Sequence, residues 1–164
     1  MKELLQKLNA CKDAIEWAGD KSWEECYATC HRGDWLLWLF KRTNPDDLQL
    51  LTLAKGRCAN TVRHLMKDER SIKAVDAAIA FGEGKISRDE LNTAAAAADA
   101  AYAAADATYA AAYADAASAD AAAFAAFAAA KKENQQLTAD ICRKYLPIPI
   151  WNIKQIYETN KLRS

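Results

Sequence analysis

Cys26-x-x-x-Cys30-His31 is the segment of this chain closest to a metal or nucleophile motif. A spacing of four puts Cys26 and Cys30 on one face of a helix. Zinc, however, takes four ligands, usually as two pairs. Cys11, Cys58, Cys142 and His64 are isolated in sequence and offer no second pair. The cysteines therefore read as core residues, since a free Cys behaves as a small buried hydrophobe. His64 follows Cys58 by six residues, which on a helix separates thiol from imidazole. There is no glycine-rich phosphate loop and no Ser-His-Asp set, and Glu24-Glu25 and Asp46-Asp47 read as helix starts. Neither a catalytic residue, nor a metal ligand, nor a cofactor is expected, and the chain reads as a binding protein and not an enzyme.

The charges carry more information. Between Lys55 and Lys73 there are six basic residues (Lys55, Arg57, Arg63, Lys67, Arg70, Lys73) against two acidic ones. The alanine-rich stretch further on holds Asp99, Asp106, Asp115 and Asp120 and no base. One reading pairs the two, with Arg57 or Arg63 reaching Asp106 or Asp120. The other gathers Arg57, Arg63, His64 and Arg70 into a basic patch for a small nucleotide or phosphate.

The 164 residues carry 22 Lys plus Arg and 22 Asp plus Glu, a net charge of zero. Coating nucleic acid calls for a basic chain, and disorder for high net charge with few apolar residues, whereas 52% here are hydrophobic. The first residues mix charges among leucines and show no signal-peptide core. Aspartates interrupt the alanine tract, each costing about 2.5–3.5 kcal/mol at mid-bilayer, so no membrane span is expected. Five cysteines, an odd number, without a secretion signal fit reduced thiols and a cytoplasmic location.

These residues must be positioned by helices, because no stretch reads as strand. Residues 2–18 read as one helix with Leu4, Leu5, Leu8, Cys11 and Ile15 on a face, ended by Gly19. Ser22-x-x-Glu25 is a capping box. Asp34 reads as the cap of the apolar helix Trp35-Leu36-Leu37-Trp38-Leu39-Phe40, with Trp35, Leu36, Trp38 and Leu39 as core anchors. Asn44-Pro45-Asp46-Asp47 reads as N-cap, first-position proline and two first-turn carboxylates of a helix running towards Met66. Asp68 to Ser71 is a charged corner, 72–81 a helix closed by Gly82-Glu83-Gly84, and Ser87-x-x-Glu90 a second capping box. Residues 138–146 read as a helix stopped by Pro147, and 151–160 as a last short one. The expected fold is a single all-α domain: N-terminal helices with a Trp-rich core (1–86), a long alanine-rich helix (87–133) and C-terminal helices (134–164).

Between Ala94 and Ala130, 26 of 37 residues are alanine, the strongest helix former. Leu91, Tyr102, Tyr113 and Phe124 recur every eleven positions, and with Tyr109 and Phe127 they make one stripe, joined by Asp106 and Asp120. The stripe is either a core seam or a recognition surface made of Tyr102, Asp106, Tyr109, Tyr113 and Asp120. As one helix the tract spans about 55 Å, longer than the roughly 40 Å of a globule this size. It is thus a protruding rod, which would favour a homodimer, or two antiparallel helices. Threonines at eleven-residue spacing, which an ice-binding helix needs, are missing.

Gly33-Asp-Trp-Leu-Leu-Trp-Leu39, Asp68-Glu-Arg-Ser71, the Gly-Glu-Gly turn, Ser87-Arg-Asp-Glu-Leu91 and the long Ala/Tyr/Asp helix occur in that order. Over roughly residues 20–145 the chain resembles the alanine-rich Imm-five-like family of bacterial immunity proteins, encoded in bacterial and prophage genomes. The resemblance implies a small helical cytoplasmic protein that neutralises a toxin by binding it, with no catalytic residues. Asp34, Trp35, Trp38, Arg70 and the Ala/Tyr face are the positions that match. The alternative is a phage-encoded counter-defence protein, acting as an inhibitor or as a sponge for a nucleotide signal.

Overall fold

The computed structural model describes residues 1–66, 68–97 and 121–153, the last stretch as backbone only over 121–131. The chain is all-helical, with no strand among the described residues. The helices are α1 (Lys2–Lys7), α2 (Lys12–Ala18), α3 (Trp23–Thr29), α4 (Gly33–Thr43), α5 (Leu48–Asn60), α6 (Glu69–Gly82), α7 (88–97) and α8 (Ala121–Tyr145). Single 3₁₀ turns follow α5 at Arg63–Leu65 and α8 at Ile148–Ile150.

The segment expected to be one helix over 2–18 is two. Leu8 ends α1, and Asn9 takes φ 56°. The Ala10 amide donates to the Leu5 carbonyl and the Asn9 amide to Gln6, the paired bonds of a left-handed helix stop, which Asn tolerates. The apolar face continues through the break, which is why spacing alone concealed it. Gly84, at φ 72°, stops α6 in the same way, with Lys85 donating to Ala80 and Gly84 to Phe81.

Both capping boxes form. The Ser22 hydroxyl accepts from the Glu25 amide at 3.0 Å while the Glu25 carboxylate accepts from the Ser22 amide at 2.7 Å. Ser87 and Glu90 repeat the exchange. Three other starts differ from expectation. α4 begins at Gly33 after Arg32, and Asp34 lies in its first turn, paired with Arg32. α5 begins at Leu48, four residues after Asn44, whose side chain is engaged elsewhere. α6 takes in the charged corner, because the Asp68 carboxylate caps it by accepting from the Arg70 amide. The expected helix over 138–146 is the end of α8, which runs unbroken from Ala121, and Thr138 bonds back to the Gln135 carbonyl inside it.

Packing follows from small residues at the crossings. α8 lies against α4 and α5, and α6 forms a hairpin with α5. A Cβ placed on Gly33 would lie 2.6 Å from the Thr138 carbonyl carbon. One placed on Gly82 would lie 2.6 Å from the Leu53 Cα. Phe40, Leu4, Leu146 and Cys142 are the most completely buried large side chains. Around them Trp151 packs on Trp23 and Phe40, with ring centroids 4.8 and 5.0 Å away. The Trp151 indole N–H donates to the Leu146 carbonyl at 2.7 Å. Arg143 of α8 donates to the Tyr27 and Cys30 carbonyls, which α3 leaves unpaired at its C-terminal end.

Candidate binding cleft

α4 has two apolar faces. Leu36, Leu39, Phe40 and Thr43, at helical spacing, are buried in the core. Trp35, Trp38 and Arg42 form the adjacent stripe and stay half-buried or exposed. Leu36 and Leu39 thus hold the core, whereas Trp35 and Trp38, expected to be buried anchors, face an opening. The reason is geometric: a helix lying against α5 and α8 buries about one stripe, and the Trp-Leu-Leu-Trp run is wider than that.

The opening is a cleft of about 420 Å³ between α1–α2 and α3–α4. That is within the range of ligand-sized sites. Trp17, Trp35 and Trp38 line it with Leu5 and Ala14, and Arg32 and Asp34 also line it. Trp17 and Trp35 meet at 5.8 Å between centroids, inclined at 58°. His31 packs on both, at 6.2 and 6.3 Å. The chain's own cations cover the indole faces. Lys21 Nζ lies 4.7 Å from the Trp17 centroid, Arg32 Cζ 4.6 Å from Trp35 and Arg42 Cζ 5.2 Å from Trp38. Arg32 also clasps Asp34 through two bonds, Nε to Oδ1 at 2.8 Å and Nη2 to Oδ2 at 2.6 Å. This holds the Asp34 carboxyl below its ordinary range.

Cys26 and Cys30 also line the cleft, and burial pushes both thiols up. Burial thus disfavours the thiolate, the form that acts as a nucleophile. No cluster of metal-ligating side chains occurs among the described residues. The cleft therefore offers apolar area and one fixed charge pair, Arg32 with Asp34, which suits recognition more than proton transfer.

The other predicted residues are placed differently. Arg63 donates bidentately to Asp76 of α6, with Nη2 to Oδ2 at 2.8 Å, Arg57 pairs with Glu83, and Arg70 with Asp68. Each guanidinium of the expected basic patch thus meets a carboxylate close by, Glu83, Asp76 or Asp68, and the expected pairing of Arg57 or Arg63 with Asp106 or Asp120 falls on residues outside those described. His64 is exposed on the turn after α5. Tyr102, Asp106, Tyr109, Tyr113 and Asp120 lie outside the described residues, as does the question of one rod or two helices. Of the stripe, Leu91 is half-buried on α7.

Sequence reasoning had found the Cys26–His31 segment and the Trp35–Leu39 run separately, and the fold brings them to one cleft. It missed Trp17 and Arg32. Trp17 reaches the cleft because the break at Asn9 gives α2 its own orientation. Arg32 had a legible signal, the Arg-x-Asp spacing at the start of α4.

Compared with known proteins, the chain matches no family model, no curated protein and no solved structure. No helix among the described residues is long and apolar enough to cross a membrane.

Proposed function

We propose that this protein works by binding a protein partner through the Trp-lined cleft, as an immunity factor that neutralises a toxin by direct contact. The observation that carries the reading is the half-exposed Trp17–Trp35–Trp38 lining beside the fixed Arg32–Asp34 pair. Tryptophan and arginine dominate the energetics of protein interfaces, above all where they surround a pocket that a partner side chain can fill. The indole faces are already occupied by Lys21, Arg32 and Arg42, so the cleft favours an apolar anchor over a cationic one. The resemblance to alanine-rich immunity proteins includes Asp34, Trp35 and Trp38, residues of this same site.

Co-expression with the product of the neighbouring gene tests the reading, with growth and complex formation as readouts. The wild-type chain should protect and co-purify. Trp35→Ala should weaken the complex about 30-fold, the effect of losing about 2 kcal/mol at a hot spot. Leu65→Ala, at a 67% exposed position on the turn after α5, should leave it unchanged. Equal binding by wild type and Trp35→Ala would remove the cleft from the argument. Cyclic-nucleotide binding in calorimetry, abolished by Arg63→Ala, would favour the nucleotide-sponge alternative instead.

A further inference from the structure

Cys58 of α5 and Cys142 of α8 are 84 residues apart in sequence, and their sulfurs lie 4.0 Å from each other. Both belong to the core, where α4, α5 and α8 meet. The Cys142 sulfur is 3.5 Å from the Gly33 carbonyl oxygen, and the Cys58 sulfur 3.6 Å from that of Thr138. Two thiols facing each other across a helix crossing fill space no better than Ala and Val would. What they add is chemistry. Both are buried, Cys142 at 0% exposure and Cys58 at 9%, so Cys58 is the side from which a small oxidant would enter.

We propose that Cys58 and Cys142 are a redox-modification site, at which a hydroperoxide drives a disulfide that fastens α5 to α8. The Cys58 sulfur attacks one peroxide oxygen and the O–O bond breaks. This leaves a sulfenic acid on Cys58 and releases water, or an alcohol from an organic peroxide, that carries off the Cys58 proton. The Cys142 sulfur then attacks the Cys58 sulfur. An S–S bond forms, the S–O bond breaks, and the hydroxide leaves as water with the Cys142 proton. Two thiols are oxidised by two electrons and one peroxide is reduced. Closing the bond takes the sulfurs from 4.0 Å to about 2.05 Å, roughly 1 Å of movement each. Cys58, the less buried of the two, is the attacking sulfur and Cys142 the resolving one. The link would close a chain loop that contains α6, α7 and the alanine-rich tract.

The test uses the full chain, treated with hydrogen peroxide and quenched by a thiol-blocking reagent in denaturant. Peptide mapping should find a Cys58–Cys142 cross-link in the monomer, with two of the five thiols lost. The thermal midpoint should rise and return to its starting value on reduction. In Cys142→Ala, Cys58 should stop at the sulfenic acid and be captured by a dimedone probe. If that variant does not fold, the wild-type map alone decides. All five thiols surviving, or a cross-link through Cys11, Cys26 or Cys30 with Cys58 and Cys142 still reduced, would overturn the proposal.

Discussion

Asn44 is 2% exposed and makes four polar contacts. Its amide donates to Asp47 Oδ2 at 2.8 Å and to the Ile150 carbonyl at 2.7 Å. Its oxygen accepts from the Thr43 hydroxyl and the Asn152 amide. Local sequence offered it as a helix cap before Pro45. The chain uses it to tie the end of α4 to the segment after α8. Asn44→Ala should cost about 1–3 kcal/mol in denaturant unfolding, because the Ile150 carbonyl loses its donor and the Asn152 amide its acceptor, while the Thr43 hydroxyl keeps the Leu39 carbonyl. Asn44→Asp should do no better, since it replaces the donor with a negative charge beside Asp47. A loss under half a kcal/mol for Asn44→Ala would mean the neighbours find other partners.

Among the elements, the glycine crossings decide how closely the helices approach. At Gly33 a methyl group would meet the Thr138 side chain at 2.5 Å and its backbone at 2.6 Å. At Gly56 it would meet Ile79 and Ala78 at 3.0–3.1 Å, where small shifts suffice. Overpacking a tight site costs about 1–3 kcal/mol. Gly33→Ala should therefore fall at the upper end, and Gly56→Ala well below it, the methyl also gaining helix propensity. Thermal unfolding of the two variants side by side checks this, and equal midpoints would show that α4 and α8 slide apart without penalty. The same close approach brings Cys142 to the Gly33 carbonyl, so Gly33→Ala should also slow the Cys58–Cys142 link.

Across the whole molecule, pairing of carboxylates sets the acid response. Arg32, Arg63 and Arg143 hold Asp34, Asp76 and Asp140 below the ordinary value of 3.8, and Arg70 with the start of α6 holds Asp68 at about 2. Lys85 and Arg57 lower Glu83, and the serines of the two capping boxes lower Glu25 and Glu90. Each group binds its proton more tightly in the unfolded chain. Its contribution is present above the ordinary carboxylate values and is lost as pH falls through the folded ones. The urea midpoint should therefore stay level down to about pH 5 and drop between there and about pH 2. Most of these pairs are exposed, so salt should shrink the drop. A midpoint at pH 3 equal to that at pH 7 would show the pairs contribute nothing.

What the sequence by itself determined is what its neighbours within a turn determine. Ser22 with Glu25, Ser87 with Glu90, Gly84 and Pro147 set helix ends by local hydrogen bonding or its absence, and the absence of strand patterning fixed the all-helical class. The break at Asn9 escaped because Leu4, Leu5, Leu8, Cys11 and Ile15 keep one face through it, and hydrophobic spacing does not register a backbone reversal. The tertiary structure alone decided that Asn44 reaches Ile150 instead of capping a helix at Pro45, that the arginines of the 55–73 stretch are taken by nearby carboxylates, and that Trp35 and Trp38 look outward. Those outcomes depend on which surface each helix meets, a long-range contact energy that no window of adjacent residues contains.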